Sequence, residues 1–125
     1  MATKKRLSLH FLESELKCKC QRVECDAKPM LQPFMEKLEA LRLLYDKPLI
    51  PTSGSRCAFW NKKQGGAAKS QHLLGNAADF YFSTMAEVEQ IVTLAEKAGF
   101  KGIGHGKHKV HVDDRKTYAR WSYKD

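Results

Sequence analysis

The stretch Ser70-Gln71-His72-Leu73-Leu74-Gly75-Asn76-Ala77-Ala78-Asp79 is answered about thirty residues later by Val110-His111-Val112-Asp113. Gly75 permits a tight turn after His72, and Asn76 to Phe82 reads as a strand entering the core, so His72 and Asp79 can face one point. In Lys107 to Asp113 the alternation puts His111 and Asp113 on one face and Val110 and Val112 on the other. Two imidazoles and a carboxylate are the ligand types of a catalytic zinc site, which takes three protein ligands and keeps a position open for water. Each half alone has an ordinary explanation, since a His ahead of an Asp arises often by chance and a strand His is more often a surface or hydrogen-bonded residue. The expected metal ligands are His72, Asp79 and His111.

Read together, these residues resemble the Ser-x-His-x-x-Gly-x-Ala-x-Asp signature of the zinc D-Ala-D-Ala carboxypeptidases. That family shares its metal-site scaffold with the LAS-type peptidoglycan peptidases and the hedgehog signalling domain. Pro48 to Ile50, the Ser53-Gly54-Ser55-Arg56-Cys57 turn, Asn61 and Gly65-Gly66 resemble the segments that precede the signature in its short phage and bacterial branch. Gly102-Ile103-Gly104 and Arg120-Trp121 fit as well, so the similarity runs over about residues 7 to 123. The resemblance implies a hedgehog/DD-peptidase-like fold, one catalytic Zn2+, and hydrolysis of peptidoglycan stem or cross-link peptides as a carboxypeptidase or endopeptidase.

The chain departs from the family where several members place an Asp or Glu general base, three residues before the distal His: here that position holds His108. An imidazole can transfer the same proton. Asp113, two residues after His111 and on the same face, is the preferred alternative, either as base or as a carboxylate that orients a ligand. The plain reading of His108 is an exposed residue in a basic turn. The resemblance assigns Arg56 to the substrate carbonyl or oxyanion, a role suited to a fixed guanidinium. It makes Ser70 a substrate-facing residue, although Ser70 equally suits a cap or turn.

At 125 residues the chain is read as one domain, 1–125, with residues 1–6 a flexible basic N-terminus. No signal-peptide stretch or membrane span is visible, so synthesis in the cytoplasm is expected, with action at the cell wall after release by lysis or as part of a virion. A monomer is expected. The net charge of +8 attracts anionic wall polymers or nucleic acid. Its lysines are dispersed rather than gathered with aromatics, which argues against specific nucleic-acid readout. Cys18, Cys20, Cys25 and Cys57 could form a structural zinc site, one or two disulfides, or free thiols. Buried free thiols are the preferred reading and a second, structural ion the runner-up.

The expected architecture is α+β, a small antiparallel sheet with helices packed on one side. Ser8 should cap a short helix through Leu16, and a longer helix should begin near Pro29 or Pro33 and end at Tyr45. A strand from about Leu49 leads to the Arg56 turn, a short helix covers Ala58 to Gln64, and a helix from Thr84 or Met85 to Ala98 stops at Gly99. Strands are expected near Lys101 to Gly104, Lys107 to Asp113 and Arg120 to Tyr123. Two other functions carry weight: a noncatalytic wall- or partner-binding domain that keeps zinc for structure, and a basic nucleic-acid-associated protein.

Overall fold

The structure, a computed structural model, describes residues 5–124. The chain opens with a hairpin, β1 (Arg6–Ser8) and β2 (Phe11–Leu12), followed by a single turn of helix, α1 (Glu13–Leu16). Of the basic N-terminal segment, residues 1–4 lie outside the described part, while Lys5 pairs with Glu13 and Arg6 begins β1. A helix starting at Ser8 does not form. The Ser8 hydroxyl donates to Glu39 Oε1 at 2.8 Å and the His10 amide donates to the same oxygen at 2.9 Å. Glu39 Oε2 also meets His10 Nδ1 at 2.5 Å, so the hairpin is pinned to the next helix by one carboxylate.

That helix, α2 (Gln32–Tyr45), carries Pro33 in its first turn, where no intrahelical amide is lost, and buries Phe34, Met35, Leu38, Leu41 and Tyr45. Burial raises Glu39, but its hydrogen bonds from His10 and Ser8 outweigh this and hold its pKa below the ordinary 4.5. A carboxyl depressed in the folded state stabilises above its unfolded pKa, and that contribution fades as pH falls through the folded value. Glu39→Gln is therefore expected to cost about 1–2 kcal/mol at neutral pH in urea unfolding, from hydrogen bonds to a charged group. The difference from wild type should shrink below pH 4.5.

Next come β3 (Pro51–Ser53), α3 (Ala58–Lys63), a 3₁₀ turn at Gln71–Leu74, β4 (Ala77–Tyr81), α4 (Met85–Ala98), β5 (Gly102–His105), β6 (Lys109–Asp113) and β7 (Ala119–Ser122). Thr84 caps α4 by accepting from the Glu87 amide, and Gly99 ends it in the left-handed conformation at φ 95°. The main sheet has the order β3-β4-β6-β5-β7. The α+β class holds, and three of the four ladders are antiparallel, but β7 runs parallel to β5. The expectation of a wholly antiparallel sheet is corrected on this edge.

Alternation divides the sheet into two faces. Ala78, Phe80, Ile103, Val110 and Val112 join the α2 and α4 stripes in one core, which includes Phe34, Leu38, Val88 and Ile91. Both long helices thus cover one face. The opposite face carries Asp79, His111 and Asp113, all buried. No helix among the described residues is long and apolar enough to cross a membrane.

Candidate metal centre

Asp79 on β4 lies directly opposite His111 on β6, the sheet's central strand. Their spacing is therefore set by cross-strand pairing. His72 arrives from the 3₁₀ turn, which Ser70 caps by accepting from the His72 amide at 3.2 Å. Gly75 closes the turn in the left-handed conformation at φ 70°, and a side chain there would run into the Pro29 carbonyl. One donor atom from each of His72, Asp79 and His111 lies within 4.8 Å of the others. His111 Nδ1 is 2.8 Å from Asp79 Oδ1, and His72 Nε2 is 3.2 Å from Asp79 Oδ2.

The outer nitrogens of both rings fix which atom faces inward. His72 Nδ1 is 2.7 Å from the Gly54 carbonyl, which can only accept, so Nδ1 carries a proton and Nε2 is the inward atom. His111 Nε2 is 2.7 Å from Asp113 Oδ2. Asp113 is an ionised acceptor, so Nε2 of His111 is the donor and Nδ1 is the inward atom. In the metal-free protein Nδ1 of His111 donates to Asp79, and a divalent cation that replaces this proton would find two inward imidazole nitrogens and a carboxylate converging on one point.

Charge reinforces the arrangement. Burial raises Asp79, but the hydrogen bonds and charge of His111 and His72 outweigh it and hold its carboxyl well below the usual range. Burial likewise raises Asp113, and the Arg115 guanidinium and His111 overcome it. Burial lowers His111, and its bonds to Asp113 and Asp79 reverse this, leaving its pKa raised.

Arg56 sits beside these groups, buried, with Nη2 donating to Asp79 Oδ2 at 3.1 Å, Nη1 to Asn61 Oδ1 at 3.3 Å and Nε to Ser53 Oγ at 3.0 Å. Three acceptors hold its plane. Arg56, Ser70, His72, Asp79 and His111 line one open cleft of about 440 Å³.

Neither residue considered as general base is in that lining. Asp113 is fully buried behind His111, where Arg115 Nε and Nη2 grip its two oxygens at 2.8 and 2.7 Å. A carboxylate so held accepts from His111 Nε2 and is not part of the cleft wall. His108 stands in the exposed turn before β6, its ring stacked on Tyr81 and its Nδ1 3.0 Å from the Phe82 carbonyl. Asp79 is the only carboxylate among the described residues that line the cleft.

Part of the remaining wall comes from residues to which the sequence assigned no role. Lys109, Arg115, Trp121 and Tyr123 all line it. Trp121 packs 5.3 Å from the His111 ring, Arg115 lies over the indole at 4.8 Å, and Lys109 covers the Tyr123 ring at 4.4 Å. Alternation was the available signal: Lys109 is two residues from His111, and Trp121 and Tyr123 are two apart.

The motif Gly102-Ile103-Gly104 acquires a physical reason here. A side chain at Gly104 would occupy the Trp121 indole, and one at Gly102 would strike the Asp113 carboxyl and Arg115 Nε. Gly102→Ala is expected to cost roughly 1–3 kcal/mol by overpacking. By displacing the carboxylate that orients His111 it should also weaken metal affinity about 10–100-fold. Competition against a chromogenic chelator measures this, and Asp113→Asn should shift the affinity in the same direction.

An α+β domain with a buried His-Asp-His set on the open face of its sheet has the makings of a mononuclear metal centre. Residues 9–113 match the family described as Peptidase M15. The chain belongs to that family. It is 34% identical over 84 residues to the zinc D-Ala-D-Ala carboxypeptidase of Streptomyces albus G. The match covers 62% of this chain and 32% of the relative, so the chain spans about a third of that protein's length.

Proposed function

We propose that the chain is a zinc metallopeptidase hydrolysing peptide bonds in peptidoglycan stem or cross-link peptides, as a D-Ala-D-Ala carboxypeptidase or an endopeptidase. The observation that carries this reading is the convergence of His72 Nε2, His111 Nδ1 and an Asp79 oxygen beside Arg56, in an open cleft of an M15 chain. His72, Asp79 and His111 would hold zinc, which when bound supplies a Lewis acid for a carbonyl and acidifies water.

The protein's own residues supply binding and charge. Arg56 is fixed by Ser53, Asn61 and Asp79, so it can meet negative charge developing on the attacked carbonyl without reorganising. Lys69, Lys109 and Arg115 add positive charge to the walls, which suits a substrate ending in a carboxylate. Trp121 and Tyr123 give the cleft apolar surface for a peptide. Asp113 keeps His111 oriented.

A second reading, a noncatalytic wall-binding domain that retains zinc, is favoured by one observation: Asp113 and His108 both point away from the cleft. Digestion of purified sacculi by the zinc-loaded protein separates the two, with soluble fragments identified by mass spectrometry and His72→Ala in parallel. Lost D-Ala or cleaved cross-links with wild type only supports the peptidase and names the bond. Intact muropeptides from protein that holds zinc would support the binding domain. We propose that the substrate is reached after lysis, as by a phage endolysin, or from a virion, in keeping with the resemblance of residues 48–66 to the short phage and bacterial branch of the family.

A further inference from the structure

Behind the Arg56 turn the structure gathers all four cysteines. The Sγ atoms of Cys18, Cys20, Cys25 and Cys57 lie within 4.8 Å of one another. All four are free, and only Cys18 and Cys57 are buried, which departs from the expectation of four buried thiols. We propose that these residues form a second metal site, a tetrathiolate centre holding a structural zinc ion.

Sulfur geometry is the first argument. Four thiolates around zinc at about 2.3 Å place every pair of sulfurs roughly 3.8 Å apart. Cys18 Sγ and Cys57 Sγ are 3.7 Å apart. Disulfides need about 2.05 Å within a pair and set no condition between pairs. Four sulfurs that are all mutual neighbours meet the demand of a shared tetrahedral ion instead.

Backbone amides also point at the sulfurs, a setting that suits thiolates. The Cys57 amide donates to Cys18 Sγ at 3.4 Å, the Arg22 amide to Cys20 Sγ at 3.4 Å and the Trp60 amide to Cys57 Sγ at 3.5 Å. Gln21, between Cys20 and Arg22, takes the left-handed conformation at φ 59°, a turn that aims the Arg22 amide back at the sulfur. A zinc tetrathiolate carries two net negative charges, and Lys17, Lys19, Arg22 and Lys28 line the cavity beside it.

The loop gives the site its purpose. Residues 17–31 form neither helix nor strand, and Cys18 alone among them is buried. Val23 is wholly exposed. A segment of that length with almost no apolar anchor needs another constraint to hold one conformation. A shared ion supplies it, tying the loop to Cys57, which follows Arg56 and caps α3. The thiolate site thereby braces the turn that presents Arg56 to the cleft.

The test is zinc content per chain after dialysis, under reducing conditions, in wild type, His72→Ala/His111→Ala and Cys20→Ser/Cys25→Ser. Two equivalents are expected in wild type and one in each variant. X-ray absorption of the histidine double variant should show a sulfur-only shell at about 2.3 Å. The histidine variant separates this site from the proposed catalytic one, since it retains the four thiolates whatever the cleft does. A folded histidine variant without zinc, or with zinc bound by nitrogen and oxygen, overturns the proposal. If that variant fails to fold, cobalt(II) added to reduced, metal-stripped wild type decides: a thiolate-to-cobalt charge-transfer band supports the site, and its absence overturns it.

Discussion

Asp79→Asn is expected to abolish metal-dependent hydrolysis and, separately, to destabilise the fold. Asp79 is the one carboxylate in the cleft lining among the described residues, and it meets His72, His111 and Arg56 together. An amide is a poorer ligand for zinc, and several kcal/mol of metal assistance corresponds to on the order of 10³-fold or more in rate. The stability effect does not depend on metal. Arg56 is 8% exposed, and removing its charged partner leaves a buried guanidinium uncompensated. Breaking such a pair costs roughly 3–5 kcal/mol. Turnover on muropeptides and urea unfolding of the metal-free protein read the two effects independently. Full activity with normal zinc content in Asp79→Asn would show that Asp79 is not a required ligand of the centre.

Arg56→Lys is expected to lower kcat by about 10²–10³-fold while leaving zinc content unchanged. The two side chains carry the same charge, so a purely electrostatic role would survive the exchange. A lysine ammonium is a point donor and cannot reproduce the planar fork that reaches Ser53, Asn61 and Asp79 at once. Zinc retained with kcat lost identifies Arg56 as a group acting on the substrate. Zinc lost with kcat would make it a support for Asp79 instead.

The elements most legible in the sequence were those governed by local rules. Pro33 and Gly99 mark the ends of the two long helices within a few residues, because each acts on the backbone where it stands. Alternation placed His111 and Asp113 opposite Val110 and Val112, as in the sheet. What local pattern could not supply was partnership across distance. Ser8 looked like a helix cap because nothing near it reveals that Glu39 takes its hydroxyl. β7 pairs parallel with β5, and direction is not written in a four-residue strand. Nothing near Asp113 in sequence pattern reveals that Arg115, in the irregular segment after β6, holds both its oxygens. Cys57 lies 39 residues from Cys18, so a shared ion at the four cysteines could be named only as the runner-up to free thiols.

The pairing of Asp79 with His111 across the β4–β6 ladder has a consequence for how such a chain can change length. Their separation along the sequence is immaterial, since the ladder alone sets their separation in space. Extra residues at Ser83, an exposed position between β4 and α4, would lengthen the first and spare the second. One residue deleted inside β4 or β6 would do the reverse, barely altering the sequence spacing while turning a ligand toward Phe80 and Val110 in the core. The centre thus tolerates large edits at its connections and almost none along its rungs.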